Sequence, residues 1–232
     1  MNTAMTKPLS TLIRADVFIC VLTGVMFFAL PDIDIWVSNQ FYYGGAFYLR
    51  DNGLVIAVYK IFAKIHFVYF LIFVLALLWL RFFKNDVSRQ WQKRLRFLLL
   101  VLLLVPGLIV NTGLKDNSFG RPRPVHIEQF GGQATFAPAF IFSGECAKNC
   151  SFVSGHAAIA TFFIAFAWVF GSRRLFLLGI AMGAFVGLVR IVQGGHFLSD
   201  VIFSLWTMHF GTLFLAHLYH YRLSSKEQNS PP

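Results

Sequence analysis

The stretch FLLLVLLLVPGLIVNTGLKDNSFGRPRP, residues 97–124, decides the fold class. Residues 97–114 carry no charge, and crossing a bilayer takes about 20 predominantly apolar residues. Lys115 ends the run, and a turn punctuated by Gly120 and Pro122 carries Arg121 and Arg123 beyond it. Working outward, further apolar segments occupy 12–30, 66–80 (with 54–64 as its amphipathic beginning), 157–170, 175–189 and 201–218. Composition agrees: of 232 residues 57% are hydrophobic, 28 are Phe and only 13% are charged, whereas a soluble domain carries about a quarter. These figures exclude a disordered chain, a secreted disulfide scaffold and an ordinary cytosolic enzyme. The expectation is an all-α polytopic membrane protein with six transmembrane helices in a single domain, residues 1–232, and a polar tail at 224–232. Pro31 and Asp32 follow the first segment without a small-residue cleavage site, so that segment reads as a retained helix.

The net charge of +10 is informative through its placement. Lys7, Arg14, the basic residues of the 81–96 loop, Arg173, Arg174, Arg222 and Lys226 fall on one side of the segments. Fewer fall on the other: Arg50, Lys115, Arg121, Arg123, Lys148 and Arg190. By the positive-inside rule both termini are cytoplasmic, and the loops 31–53, 115–156 and 190–200 face outward. No basic–aromatic stripe points to nucleic acid as a partner.

Three groups in those outward loops carry chemistry. Lys115, Arg121 and Arg123 stand around a tight turn, where guanidinium forks and an ammonium suit an oxyanion; snorkelling to headgroups is their competing role. Ser154, Gly155 and His156 open the fourth segment, where a helix N-terminus offers free N–H groups to an anion and a histidine can pass a proton. The competing role there is a serine cap beside an interfacial histidine. Arg190, His196 and Asp200 link the last two segments; with a helix beginning near His196, Asp200 lies one turn on, able to fix the imidazole tautomer. A structural His–Asp pair is the alternative. Together, cations, two histidines and one aspartate on one membrane face point to phosphoryl transfer through a phosphohistidine, with the cations on the equatorial oxygens.

These residues resemble the three signatures of the type-2 phosphatidic acid phosphatase superfamily: Lys…Arg-Pro, Ser-Gly-His and Arg-x5-His-x3-Asp. The wider text, at 125–132, 149–154 and 193–200, is similar to bacterial lipid A phosphatases of the 4′-phosphatase type. The resemblance implies His196 as nucleophile, Asp200 orienting it and His156 as general acid. Lys115, Arg123 and Arg190 would hold the phosphate, helped by Ser154 and the Gly155 backbone. It also implies a phosphorylated membrane lipid as substrate, no cofactor, and an inner-membrane location with a periplasmic site. Two departures stand out. Seven residues separate Lys115 from Arg123 where the family has six, so either the turn at 117–120 absorbs one or Arg121 shares the role. Val189 stands where the family often has serine.

Cys146 and Cys150 precede the second group, and an oxidising compartment allows either a disulfide or two thiols. His126 and Glu128 read as solvated loop residues. A zinc site from His126, His156 and His196 lacks metal-ligand spacing, and no metal is expected. A small transporter would place its charges near the membrane midplane rather than at one interface.

Overall fold

Proline 31 ends the first apolar helix, since it has no N–H and its ring opposes the preceding turn. The computed structural model describes residues 9–115, 119–221 and 223, so the 117–120 turn is only partly covered and the tail at 224–232 lies outside the described residues. Helix α1 (Leu9–Ala29) leads to α2 (Asp32–Asn39), whose first turn carries Asp32 and Asp34. The chain bends by 82° between them. A short hairpin, Tyr42–Tyr43 against Ala46–Phe47, precedes α3 (Gly53–Leu80). The Asn52 side chain accepts from Leu54 N at 3.0 Å and so caps α3. Helix α4 (Asp86–Leu102), capped by Asn85, widens without a break into a π-helical continuation, Leu103–Lys115, that contains Pro106. A widened ladder accommodates a residue lacking an N–H. Asn111 Nδ2 supplies an added donor to the Pro106 carbonyl at 2.8 Å.

The rest of the bundle is α5 (Gly155–Thr161), α6 (Phe163–Phe170), α7 (Arg173–Val192) and α8 (Leu198–Leu218). Among the described residues, four helices are long and apolar enough to cross a membrane, or five if the bent pair of α1 and α2 is one span. The segment expected at 157–170 is shorter, and it is divided into α5 and α6 at Phe162. The 31–53 segment, read as a loop, holds α2 and the hairpin. Residues 54–64 and 66–80 form one continuous helix.

Large apolar side chains such as Phe18, Leu22, Phe67, Leu71, Leu177 and Phe214 face outward, the arrangement of a chain whose solvent is lipid. Inside, Phe27, Phe73, Phe97, Phe152, Phe162 and Phe203 belong to one buried cluster. A polar pair joins two of the helices: His209 Nε2 on α8 is 2.8 Å from Asp16 Oδ2 on α1. In hydrocarbon, helices associate through close backbone approach rather than through apolar burial. Gly179, Gly183 and Gly187 form a stripe along α7, where a Cβ would overlap Ile164, Thr161 and Val201 respectively. That stripe seats α5, α6 and α8 around α7.

Gly183→Leu should therefore overpack the centre and cost about 1–3 kcal/mol or more, read as a lowered thermal midpoint of purified protein in detergent. Leu177→Ala, on the outward face of the same helix, should leave that midpoint unchanged.

Candidate active site

Main-chain hydrogen bonds tie the three sequence groups together. Cys150 N donates to Lys115 O at 3.3 Å and Ser151 N to Arg121 O at 2.9 Å, joining the first group to the second. Ser154 N donates to Asp200 O at 3.1 Å, joining the second to the third. Val125 N donates to Gly194 O at 3.1 Å and closes the ring. Gly194 has φ +67°, a left-handed conformation open to glycine, and it turns the chain from α7 into α8.

Lys115 ends the π-helical segment and is buried. Its Nζ and Asn111 Oδ1 lie 3.8 Å and 2.9 Å from the point a Cβ of Gly155 would occupy, so a larger residue there would crowd both. Ser154, fully buried, caps α5, accepting from Ala157 N at 3.4 Å. Arg190, at the end of α7, lies so close to Gly195 that a Cβ there would overlap its guanidinium. It donates to Gln193 Oε1, and its guanidinium carbon sits 4.6 Å from the Tyr59 ring centroid. Tyr59, on α3, also stacks on His156 with centroids 4.8 Å apart. Half-buried Arg123 donates through Nη2 to Asn149 O at 3.0 Å and Oδ1 at 2.9 Å. Asn149 lies within a disulfide-closed loop, Cys146 to Cys150.

His196 is fully buried, with Nδ1 3.5 Å from Asp200 Oδ2. Burial, followed by Lys115, Arg190 and Arg123, holds its pKa well below the ordinary histidine value. The imidazole is neutral at neutral pH, the form with a free lone pair. Burial also lowers the Arg123 pKa, opposed by Tyr59 and Asp200. His156 Nε2, Arg190 Nε and both ring nitrogens of His196 are buried without a hydrogen-bond partner in the protein. Buried nitrogens in that state are costly in a structural core. Here they belong to residues that share neighbours at one end of the bundle, a set able to hold an anion and offer it a nucleophile and an acid.

Arg121 does not join this set. Grouped above with the phosphate-binding residues, it is 1% exposed, and four hydrogen bonds engage its guanidinium. Nε donates to Ala137 O at 2.8 Å, Nη1 to Ser199 Oγ at 2.7 Å and Asp200 Oδ1 at 2.6 Å, and Nη2 to Asp34 Oδ2 at 2.7 Å. Its role as a phosphate ligand is corrected on that ground: two carboxylates already hold it. Tyr59, Asn149, Gln193 and Asp34 are neighbours that sequence reading missed. His126 and Glu128 are exposed, as solvated loop residues are. Among the described residues, no three or more His, Cys, Asp or Glu side chains are grouped to hold a metal ion.

The two arginines should therefore separate in opposite ways. Arg121→Ala leaves two buried carboxylates uncompensated and should cost about 3–5 kcal/mol of stability, seen as loss of the folded protein or a steep fall in thermal midpoint. Arg123→Ala should keep the midpoint and lower turnover by about two orders of magnitude or more. A folded Arg121→Ala with a normal midpoint would contradict the clamp.

Comparison with known proteins covers the same residues. The PAP2 superfamily profile matches residues 94–224. A lipid A 4′-phosphatase of Francisella tularensis subsp. novicida (strain U112) is 34% identical over 190 residues, 80% of this chain and 85% of the relative. A lipid A 4′-phosphatase of Rhizobium leguminosarum is 32% identical over 194 residues, 76% of this chain and 83% of the relative. A lipid A 1-phosphatase of Rhizobium johnstonii (strain DSM 114642 / LMG 32736 / 3841) is 40% identical over 100 residues, 43% of this chain and 37% of the relative. No solved structure matches significantly. The matched segment begins before Lys115 and ends beyond Asp200, taking in all three groups that the main chain joins, and the chain belongs to the PAP2 superfamily.

Proposed function

We propose that this chain is a membrane lipid phosphatase, a phosphoric monoester hydrolase that removes a phosphate from lipid A, with the 4′-phosphate as its target. The observation that carries the reading is the set of buried, unpartnered nitrogens on His156, Arg190 and His196 beside Lys115. Relatives that cover most of both chains and are named as lipid A 4′-phosphatases support the substrate. The whole chain acts as one domain. The proposed arrangement has six spans, with α1–α2 and α5–α6 as the bent and broken ones. Both termini are cytoplasmic and the site lies at the periplasmic face of the inner membrane.

In the proposed reaction Lys115, Arg123 and Arg190 hold the three non-bridging oxygens, with Ser154 and the Gly155 N–H group at the start of α5. Asp200 beside Nδ1 favours the tautomer with its proton there, leaving the Nε2 lone pair of His196 free. Nε2 attacks phosphorus and the phosphorus–oxygen bond to the sugar breaks. His156 gives its proton to the departing sugar oxygen. Water then attacks the phosphohistidine, His156 takes a proton from it, and inorganic phosphate and neutral His196 are regenerated.

Purified protein given diphosphorylated lipid A should release inorganic phosphate and yield a product lighter by one phosphate group. His196→Ala should abolish release while staying folded, Asp200→Asn should reduce it strongly, and EDTA should leave the wild type active. Loss on chelation that zinc restores would overturn the metal-free reading.

The topology has its own check. A reporter active only in the periplasm should work when fused after Gln133 and fail after Lys93. The reverse pattern would put the site on the cytoplasmic face.

A further inference from the structure

The reaction above leaves Arg121 unused, although it is the largest wholly buried side chain among the described residues. Its partners explain where it acts. Asp200 has two carboxylate oxygens and only one of them borders the imidazole. Oδ1 accepts from Arg121 Nη1 at 2.6 Å. Oδ2 accepts from Phe197 N at 2.8 Å and from the Ser151 hydroxyl, and it is this oxygen that lies 3.5 Å from His196 Nδ1. Arg121 thereby fixes which oxygen faces the histidine.

Arg121 is fixed in turn from α2. Asp34 Oδ2 accepts from its Nη2 at 2.7 Å and from Ser199 Oγ at 2.5 Å, while Asp34 Oδ1 accepts from Ser199 N at 2.8 Å. Ser199 is the neighbour of Asp200, so Asp34 grips both the guanidinium and the turn of α8 that carries the orienting carboxylate. The Phe197 ring lies 4.2 Å from the guanidinium carbon and the Phe136 ring 5.6 Å, shielding the group from water. In such surroundings electrostatic effects are strong. A lone guanidinium against Asp200 would draw its negative charge away from the imidazole; a second carboxylate shares the cation.

Resting on the reading of His196 as a nucleophile oriented by Asp200, we propose that Asp34 and Arg121 are positioning residues for the reaction: a carboxylate–guanidinium–carboxylate relay from α2 that sets Asp200 against His196. Asp34 acts through Asp200 and touches neither substrate nor phosphorus. It lies outside the segment 94–224 matched by the superfamily profile.

The test compares Asp34→Asn, Asp200→Asn and the double variant, as full-length protein in detergent with diphosphorylated lipid A in mixed micelles. Ser38→Ala, a change at another buried residue of α2, serves as the control for local disturbance and should turn over like wild type. Asp34→Asn should lower kcat about 10- to 100-fold, by analogy with outer-shell partners elsewhere, with KM within about twofold. The double variant should be no slower than Asp200→Asn alone, because the two changes remove one effect. A wild-type kcat in Asp34→Asn, or losses that multiply in the double variant, would overturn the relay. If Asp34→Asn does not fold, Ser199→Ala, which removes the bridging hydroxyl without stranding a charge, is read against Asp200→Asn by the same criteria. Full activity in Asp200→Asn would instead overturn the nucleophile reading on which the relay rests.

Discussion

A guanidinium held between two carboxylates joins parts of the chain that are far apart in sequence. Asp34 comes from the helix after the first apolar run, Arg121 from the loop after the π-helical segment, and Asp200 from the first turn of α8. Each charge alone would be costly to bury, and each becomes tolerable only when the other two arrive. The same trio carries the main chain with it. Ser151 N donates to Arg121 O and Ser154 N to Asp200 O, so the loop before α5 is anchored at two of its residues by groups that flank the clamp. The charge pairing thus determines where the start of α5, and with it His156, comes to lie.

Helix packing does the remaining placement. The glycine stripe on α7 lets α5 and α8 approach closely, and in lipid such small-residue contacts are a principal means of helix association. That brings Arg190, near the end of α7, beside His196 in the following turn and His156 at the start of α5. Tyr59 on α3 completes the wall, with its ring against both the Arg190 guanidinium and the His156 imidazole. The π-helical segment has a similar consequence. By absorbing Pro106 without a break, it continues far enough for Lys115 to reach the region of Gly155.

Much of this was legible in the sequence because lipid imposes long apolar runs and because the candidate site residues lie near their ends. The main helices, the convergence of Lys115, His156, Arg190 and His196, and the proximity of Asp200 to His196 follow from local text and a charge count. The His–Asp contact forms in a different way from the one expected. Helix α8 begins at Leu198, so Asp200 caps the Phe197 N–H and meets an imidazole that precedes the helix. Arg121 was illegible for a physical reason. Arg121-Pro122 and Arg123-Pro124 are identical dipeptides, and what distinguishes them is a partner, Asp34, in a stretch that read as a loop. Tyr59 was hidden differently: one aromatic among many on a long apolar helix has no local mark of function.

The formal charges around the site lead to a last step. On the proposed reading Lys115, Arg123 and Arg190 contribute three positive charges, while Arg121 with Asp34 and Asp200 leaves one negative charge. The imidazole of His196 is held neutral by burial and by those same cations. With His156 still unprotonated, the enclosed region is therefore left with two positive charges, and a phosphate monoester brings about −1.5 to −2 at neutral pH. Binding the phosphate would bring the region close to neutrality, and the cations that lower the His196 pKa would then be countered. Once its lone pair is bonded to phosphorus, the ring carries developing positive charge, and Asp200 is the carboxylate beside it. The clamp on Asp200 thus stays outside the phosphate's reach while keeping that charge where the nucleophile requires it.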